Sequence, residues 1–424
     1  MAKKAVKADP TSLPDPFSMM KKIDDSVEII SESAFSNIQE YIPSGWYILN
    51  AVLTGSLFRG YPSGRVISLA GVNSSGKTFL AMNAAGEAQK MGYNVLWLDS
   101  EGAADSESFM RTGCDPNKIM IKTVGTITET SQIIANLLKE LEDQQEKYGT
   151  HHKFIIFLDS IANLSSQKEV TTVLDGSNTR DMTKQQEIKA LFRVNMSKLA
   201  KFGVPFIVTN HVYDSMSMYS PGKVHSSGTG IAYNASITLE LSPSKLNDKA
   251  SEDAANKKEG KETLTKTGIL VNIKPVKSRF CICHKCSIII SFFKKSNQFF
   301  GLEQFMSWDN CGIARGSMID EKTWSKLSDA EKKNGKYHSF EFEGKTLYCQ
   351  EKDTARGIIV RHLGKAVPVA DFFTEEVFAD EFLHKFDDEV IRPLFELPDQ
   401  NSFEDIKEIE DIVSIGDEVD NEAE

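Results

Sequence analysis

Short apolar runs rich in β-branched residues recur along the chain, and the early runs alternate with stretches of helical periodicity. The runs lie at residues 66–70, 95–98, 154–158, 205–208, 237–241, 269–273 and 287–293. Helices are predicted at residues 79–91, 127–142 and 184–201. This alternation is typical of an α/β fold, a mostly parallel sheet with helices on both faces. The last three runs have no helices between them, which predicts that the sheet ends in antiparallel strands.

The remaining segments differ in composition. Residues 242–267 are polar, which predicts a long surface excursion between two strands. Residues 297–398 mix aromatic and charged positions and are predicted to form a small C-terminal α/β domain. Residues 399–424 form an acidic tail, in which residues 401–424 have ten acidic residues against Lys407 and so carry −9 of the net charge of −11. The body of the chain is therefore nearly neutral, and its charge does not argue against a nucleic-acid partner.

No segment indicates a membrane or an oxidising compartment. The apolar runs are far shorter than the roughly 18 residues of a membrane span. The N-terminus is basic but lacks the apolar core of a secretory signal. Six cysteines in 424 residues do not suggest a disulfide framework. We therefore expect a cytoplasmic protein without a membrane partner.

The strongest chemical signal is a G-x-x-x-x-G-K-T sequence that follows the first apolar run. A strand before it and a helix after it are the context that a phosphate-binding loop requires. Backbone N–H groups and the helix N-terminus would hold phosphate oxygens. Lys77 is expected to reach the terminal phosphates of ATP, and the Thr78 hydroxyl to bind Mg²⁺. The predicted nucleotide-binding residues are Gly71, Asn73, Ser74, Ser75, Gly76, Lys77, Thr78 and Phe79.

Two other apolar runs lead to carboxylates. The run at 154–158 ends in Asp159, the form of a Walker B element that holds Mg²⁺. The run at 95–98 leads to Glu101, just past the strand end where ligands of parallel sheets bind. Glu101 is our candidate for activating the attacking water, although a solvated loop glutamate would give the same pattern.

Together these motifs resemble the RecA recombinase family. The matching series is G-x-x-S-S-G-K-T, Asp-Ser-Glu at 99–101, Asp-Ser at 159–160 and Thr-Asn-His at 209–211. Within that family, the chain most resembles the phage UvsX-type branch. The segments that carry this resemblance are Asn-His at 210–211, Asp-Met-Thr at 181–183 and Lys-Ser-Arg at 277–279. The resemblance implies a RecA-like ATPase core over residues 42–296. It also implies that the N-terminal segment, residues 1–41, is a filament-interface element.

The resemblance also implies roles for single residues. Lys77 and Glu101 would be catalytic, and His211 would couple the γ-phosphate to the DNA-binding loop that follows it. Lys277 and Arg279 would reach the ATP of a neighbouring copy, since alternate positions of one strand share a face. From the residues alone, His211 could instead be a satisfied loop histidine, and the two cations could be solvated side chains.

The base-binding region departs from the family. Asp105 is expected to contact the base of the nucleotide. Where the family commonly places an aromatic residue on the adenine, this chain has Ser108 beside Phe109. The sequence therefore leaves open whether the adenine is stacked.

Two segments, residues 167–179 and 212–230, follow catalytic strands and lack a regular pattern. Without the family they would be flexible surface loops, but the resemblance implies that they bind DNA. Hydroxyls, backbone amides and an aromatic wedge suit sequence-independent binding of a single strand. The expected DNA contacts are Lys168, Arg180, Tyr213, Met218, Tyr219, Lys223, Gly228 and Gly230.

The segment Cys-Ile-Cys-His-Lys-Cys at 281–286 places four soft ligands within six residues. Structural zinc usually takes pairs of ligands separated by a loop. In or near a strand, Cys281 and Cys283 would project one way, and His284 and Cys286 the other. We therefore favour core or edge cysteines over a metal site.

The expected function is ATP-dependent and Mg²⁺-dependent homologous recombination. Protomers would polymerise on single-stranded DNA, pair it with homologous duplex DNA and exchange strands during recombination, repair and replication. The expected partners are both forms of DNA, further copies of the chain, a single-strand-binding protein and a recombination mediator. The acidic tail would either solubilise the chain or compete with DNA and dock partners.

Two alternatives remain. One is a hexameric helicase of the same fold, which the short segment of about 40 residues before the core disfavours. The other is a nucleotide-gated accessory mediator that does not exchange strands.

Overall fold

The computed structural model describes residues 15–24, 27–31, 33, 36–175, 183–214, 223–225, 229–247, 266–291 and 296–397. Its first eleven strands are β1 (Tyr41–Ile42), β2 (Tyr61–Pro62), β3 (Val66–Gly71), β4 (Asn94–Asp99), β5 (Ile119–Thr123), β6 (Phe154–Asp159), β7 (Phe206–Asp214), β8 (Lys223–His225), β9 (Ile237–Asn247), β10 (Lys266–Ser278) and β11 (Cys286–Ser291). The helices of this part are α1 (Pro16–Ile23), α2 (Tyr47–Thr54), α3 (Lys77–Lys90), α4 (Ser106–Arg111), α5 (Ile127–Tyr148), α6 (Gln167–Leu174), α7 (Lys184–Lys201) and α8 (Thr229–Asn234).

One nine-stranded sheet organises this part of the chain, in the order β11-β10-β9-β3-β7-β6-β4-β5, with β8 paired to β7. Strands β9, β3, β7, β6, β4 and β5 run parallel. Strands β10 and β11 are antiparallel to their neighbours. The predicted α/β fold, with a mostly parallel sheet that ends in antiparallel strands, is confirmed.

Side chains of each central strand alternate between two apolar layers. Ile155 and Phe157 of β6 pack in the layer that contains α2 and α3. Ile156 and Leu158 of the same strand pack in the layer of α5 and α7. Since successive residues of a strand point to opposite faces, a strand buried on both sides reads as an unbroken apolar run. The helices therefore cover both faces of the sheet, as expected.

Several predicted boundaries are wrong. The polar excursion at 242–267 is shorter than expected, because β9 continues to Asn247 and β10 begins at Lys266, where backbone pairing extends the ribbon beyond its apolar part. Helix α5 runs on to Tyr148, where Gly149 with φ of 70° ends it. Strand β5 was not predicted, since it is an edge strand whose Met120 and Ile121 are exposed.

The segments expected to lack regular structure are partly regular. Residues 167–174 form α6, whose N-terminus is capped by the Ser166 side chain, which accepts a hydrogen bond from the N–H of Glu169 at 2.9 Å. In the second segment, β7 extends to Asp214 and pairs with β8, and α8 begins at Thr229. Residues 176–182, 215–222 and 226–228 lie outside the described residues.

The C-terminal part contains a second, antiparallel sheet of five strands in the order β13-β14-β12-β15-β16. These strands are β12 (Ile313–Ile319), β13 (Tyr337–Phe342), β14 (Lys345–Glu351), β15 (Gly357–Val360) and β16 (Lys365–Pro368). Short helices span Trp308–Cys311, Glu321–Ser325, Asp329–Asn334, Asp380–Phe386 and Arg392–Phe395. The domain boundary at residue 297 stays a prediction, and the acidic tail lies outside the described residues. No helix in the described ranges is long and apolar enough to span a membrane.

The last helices pack against the nine-stranded sheet and its helices rather than on the small sheet alone. We call residues 380–397, with their π-helical turn Asp387–Ile391, the C-terminal clasp. Phe386 and Phe395 of the clasp belong to the same apolar cluster as α2. The Asp387 carboxylate, 1% exposed, accepts hydrogen bonds from the Ser56 hydroxyl and the Leu57 N–H, both at 2.7 Å. The clasp is therefore fixed to the end of α2 by a buried polar contact.

We predict that Asp387→Ala lowers the free energy of unfolding by roughly 2–4 kcal/mol, because it leaves the buried Ser56 hydroxyl and Leu57 N–H without their acceptor. Urea denaturation followed by tryptophan fluorescence measures the change. The matched control is Asp388→Ala, whose exposed carboxylate pairs with Arg392 at 3.1 Å and should contribute less than about 1 kcal/mol. Equal losses in the two variants would contradict the anchoring role of Asp387.

Candidate active site

The loop between β3 and α3 has the geometry of a phosphate cradle. Gly76 adopts φ of 90°, and a Cβ at this position would lie 2.7 Å from Ile290 Cδ1. A Cβ on Gly71 would lie 2.5 Å from Ser75 Oγ and 2.7 Å from the carbonyl oxygen of Leu241. Neither position has room for a side chain, so the backbone itself forms the wall of the loop. The first N–H groups of α3 have no intrahelical acceptors and are available to an anion.

Lys77 lies against this loop. Its side chain is buried, and its Nζ donates to the carbonyl oxygens of Gly71 at 3.1 Å and of Val72 at 2.9 Å. Burial lowers the pKa of the Lys77 amine, and the nearby Asp159 and Glu101 carboxylates oppose that shift. The amine is thus held beside the loop that would carry phosphates.

Asp159 lies at the end of β6, next to the loop. Its carboxylate accepts hydrogen bonds from the Thr78 hydroxyl at 2.8 Å and from the Thr209 hydroxyl on β7. Burial raises the pKa of Asp159, with Glu101 and Asp99 adding to the rise, although the two threonine hydrogen bonds oppose it. Hydroxyl and carboxylate oxygens are donors that Mg²⁺ prefers, so Thr78 and Asp159 fit the predicted metal.

Glu101 is held by the turn that follows β4. The Asp99 carboxylate accepts the N–H of Glu101 at 2.9 Å and of Gly102 at 2.8 Å, which fixes the backbone of this turn. Glu101 Oε1 lies 3.0 Å from Nε2 of His211, which follows Thr209 on β7. The strand ends of the parallel sheet therefore bring the predicted carboxylates and His211 together.

These side chains share one cavity of about 770 Å³. Predicted residues that line it are Asn73, Ser74, Ser75, Gly76, Lys77, Thr78, Phe79, Glu101, Asp159, His211 and Tyr213. Asn163 also lines it and was not predicted. The arrangement can hold a polyphosphate beside a metal ion and place a carboxylate near its terminal group.

The base-binding prediction is less well supported by the structure. Asp105 caps α4 and accepts hydrogen bonds from the Ser108 N–H at 2.9 Å and hydroxyl at 2.6 Å. The Ser108 hydroxyl is the main cause that lowers the pKa of Asp105. Phe109 is buried with its ring perpendicular to Trp97 at 4.9 Å, so it cannot stack on a base. A second cavity of about 1160 Å³ shares Thr78 and Phe79 with the first and is lined by Ser108.

Lys277 and Arg279 are not with the other predicted catalytic residues. Strand β10 runs opposite to β3, so its end lies at the far edge of the sheet. There the Arg279 N–H donates to the Ser236 carbonyl, and the Ser236 N–H donates to that of Val66, the first residue of β3. Because β3 has six residues, this edge is about 20 Å from the loop. The pair cannot reach the phosphate site of its own chain.

The shared-face prediction for this pair stays a prediction: β10 contains a bulge between Pro275 and Lys277 and ends at Ser278, so Arg279 lies just past the strand. Lys277 Nζ donates to the carbonyl oxygens of Ala232 at 2.9 Å and Tyr233 at 3.0 Å, at the end of α8. Burial and the nearby Arg279 lower the pKa of Lys277.

The predicted DNA contacts are scattered. Tyr213 is 60% exposed and lines the phosphate cavity, and Lys168 is exposed on α6. Gly230 is buried, and a Cβ there would lie 2.9 Å from Ile188 of α7, so its place is a helix contact. Lys223 lies in β8. Arg180, Met218, Tyr219 and Gly228 lie outside the described residues.

The cysteine segment is not a strand. Residues 279–285 form the turn between β10 and β11, and both Cys281 and Cys286 are buried, whereas Cys283 is exposed. The predicted alternating projection is therefore wrong. Burial raises the pKa of Cys281, and that of Cys286 to about 12, which keeps both as thiols. Within the described ranges, no group of three or more His, Cys, Asp or Glu side chains could hold a metal ion.

Sequence reasoning missed two residues that support the site. Thr209 precedes the predicted His211 and holds Asp159, and Asp99 precedes Glu101 and fixes its turn. Each lies two residues from a predicted residue on the same strand end. A search for hydrogen-bonding side chains next to the catalytic candidates would have selected both positions, but not Asp159 as the partner of Thr209.

Comparison with known proteins matches residues 20–286 to the family described as the RecA N-terminal domain. The recombination and repair protein of Enterobacteria phage T4 is 26% identical over 221 residues, which are 52% of this chain and 54% of that protein. Protein RecA of Malacoplasma penetrans is 27% identical over 226 residues, 52% of this chain and 62% of that one. Protein RecA of Gloeothece citriformis is 29% identical over 203 residues, 48% of this chain and 52% of that one. The chain thus spans about half the length of the curated relatives it matches.

We predict that Asp159→Asn raises the thermal unfolding midpoint at pH 8 without Mg²⁺, by on the order of 2 °C. Since burial raises the pKa of Asp159, the folded chain holds that proton more tightly than the unfolded chain does. The resulting loss of stability begins above the unfolded pKa near 4 and is complete above the folded pKa, so the gain should vanish below about pH 4.

Differential scanning fluorimetry at both pH values measures the effect of Asp159→Asn. The control is Asp99→Ala, which should lower the midpoint because it leaves the N–H groups of Glu101 and Gly102 without the carboxylate that accepts them. A lower midpoint for Asp159→Asn at pH 8 would contradict the prediction.

Proposed function

The chain belongs to the RecA family, and from that premise we propose that it is an ATP-dependent homologous recombination protein. It polymerises on single-stranded DNA, pairs that strand with homologous duplex DNA and exchanges strands. The observation that carries the proposal is the convergence of Lys77, Thr78, Glu101, Asp159 and His211 on one cavity. A chain that only binds nucleotide would need the loop and lysine but not the carboxylate beside the terminal phosphate.

In this proposal each residue has a separate task. Lys77 leaves the loop carbonyls and binds the terminal phosphate oxygens of ATP, and Thr78 and Asp159 hold Mg²⁺. When bound, Mg²⁺ neutralises charge on the phosphates and orients them. Glu101 accepts a proton from the attacking water, and Asp99 keeps its backbone in place.

His211 connects hydrolysis to DNA. Its imidazole contacts Glu101, and Tyr213 lies two residues further on the same strand, immediately before residues 215–222. A ligand that draws Glu101 or His211 toward a phosphate therefore shifts the strand that leads into the proposed DNA-binding segment. This is the coupling that a protein needs if ATP controls its hold on DNA.

The proposal requires more than one copy. Lys277 and Arg279 lie about 20 Å from the loop of their own chain, so only a neighbouring copy can offer them a phosphate. A head-to-tail contact gives a ring if its rotation closes and a helical filament if it does not, and the proposal takes the filament. We place the N-terminal segment in that contact, since α1 buries none of its residues and exposes Phe17 and Ile23 at 62% and 70%.

Further parts of the proposal rest on the family alone. They are the duplex DNA partner, a single-strand-binding protein, a recombination mediator and a cytoplasmic location. The acidic tail is also proposed to compete with DNA and to dock partners. A hexameric helicase and an accessory mediator are the competing functions, and neither has an observation in its favour.

The first test is ATP hydrolysis with and without single-stranded DNA, with the same samples viewed by electron microscopy. We expect strong stimulation and continuous helical filaments. Lys77→Ala should abolish ATP hydrolysis, because it removes the cation that binds the terminal phosphates, and normal turnover in that variant would disprove the site. Closed rings would favour the helicase, and neither stimulation nor polymer would favour the accessory mediator.

We further predict that Glu101→Gln lowers the DNA-stimulated rate by about 100-fold or more, because it removes the proton acceptor and keeps the shape. Binding of a fluorescent ATP analogue should stay within about twofold, since the amide can still contact His211. The variant should also dissociate from DNA more slowly, which fluorescence anisotropy measures. Hydrolysis at the parental rate would show that another group activates the water.

A further inference from the structure

The turn between β10 and β11, residues 279–285, begins with Arg279. The Arg279 side chain is exposed, and among the described residues no acidic side chain pairs with it. Its direction is therefore set by the backbone on either side. On the strand side, the Ser278 hydroxyl accepts the N–H of Phe280 at 3.1 Å, and the Arg279 N–H donates to Ser236.

The other side of the turn is held by the C-terminal clasp. The Ile282 N–H donates to the Phe395 carbonyl oxygen at 2.7 Å. Nε2 of His284 lies 2.9 Å from the Leu394 carbonyl oxygen, and the imidazole packs 4.7 Å from the Phe395 ring. The turn thus takes two main-chain acceptors from the last helix of the clasp.

Between these contacts, the turn is wedged against α2. Cys281 is buried with its Sγ 3.4 Å from the Val52 carbonyl oxygen. Gly55, which ends α2, leaves no space there, since a Cβ would lie 3.3 Å from that of Cys281 and 3.8 Å from that of Phe395. The buried Asp387 carboxylate fixes the clasp to the next two residues, Ser56 and Leu57. A displacement of the clasp would therefore displace the turn.

We infer that the C-terminal clasp positions Arg279 for the nucleotide of the neighbouring copy, and that His284 is a positioning residue for the reaction. The inference rests on the proposed function, in which Arg279 acts between copies. His284 itself touches no phosphate; it holds the turn through Leu394. A group that meets a transferring phosphate must be placed closely, because an error of about 1 Å can reduce a rate by up to 100-fold.

The clasp is expected to affect the nucleotide of the neighbouring copy and not the nucleotide of its own chain. Arg279 lies at the far edge of the sheet from the phosphate loop, so a change in its direction should leave nucleotide binding by the same chain intact. The defect should appear only at the neighbour. A clasp that merely stabilised the fold would instead weaken both activities together.

The test uses the full chain and the variants His284→Ala, His284→Gln and Cys283→Ala. We expect His284→Ala to lower the DNA-stimulated rate by about 10-fold to 100-fold while binding a fluorescent ATP analogue with parental affinity. His284→Gln retains a donor for the Leu394 carbonyl and should stay within about twofold of the parental rate. Cys283→Ala, an exposed position of the same turn, is the matched control and should be unchanged.

Mixing experiments give the decisive result. In an equimolar mixture of His284→Ala and Lys77→Ala, about a quarter of random head-to-tail contacts join an intact loop to an intact turn. The mixture should therefore exceed the rate of either variant alone. A parental rate for His284→Ala, or no recovery on mixing, would overturn the inference.

The parental chain and Arg279→Ala separate this test from that of the proposed function. If DNA does not stimulate the parent, or if Arg279→Ala hydrolyses ATP normally, the proposed function fails and the inference falls with it. If Arg279→Ala loses stimulation and recovers on mixing with Lys77→Ala, while His284→Ala is normal, only the inference is overturned.

Discussion

The active site depends on one buried carboxylate, that of Asp159. It lies between the hydroxyls of Thr78, at the start of α3, and Thr209, on β7, and so joins three elements that are far apart in sequence. The contact exists because parallel strands in register end at one edge of the sheet, where Asp99 of β4 is directly opposite Asp159 of β6. The position of Glu101 then follows from Asp99, and that of His211 from β7. Without this edge, the residues would have no common cavity.

Burial at this site favours the neutral forms of two ionisable side chains, Lys77 and Asp159. Burial lowers the pKa of Lys77 and raises that of Asp159, so both shifts disfavour the charged forms. A phosphate would stabilise the charged lysine, and a divalent cation would stabilise the charged carboxylate. Ligand binding in such a site is linked to proton exchange with solvent. Because burial shifts both pKa values, the phosphates and the cation of a metal–nucleotide complex would each change the protonation of one side chain.

The sequence could predict the parts of the fold and the site that depend on local pattern. The apolar runs and the phosphate loop locate the central strands, and the strand ends locate Glu101 and Asp159. The role of Thr209 could not be predicted, because it depends on β6 and β7 being neighbours in the sheet. Helix α2 is buried at all but its first position, so periodicity does not identify it, and the clasp that covers part of it lies more than 300 residues later. Arg279 lies just past the end of β10, where the alternation of a strand no longer fixes the direction of a side chain.

The contact between α2 and the clasp has a consequence for how the protein is made. Ser56 and Asp387 are separated by 331 positions, and at cellular rates of synthesis this interval takes on the order of half a minute. During that time the apolar surface of α2 that the clasp later covers is without its cover, although the strands beside it have already left the ribosome. The chain is therefore most exposed to aggregation while it is incomplete, and a product that stops before residue 380 keeps that surface open. The folding of this region can therefore be completed only after residues 380–397 have been synthesised.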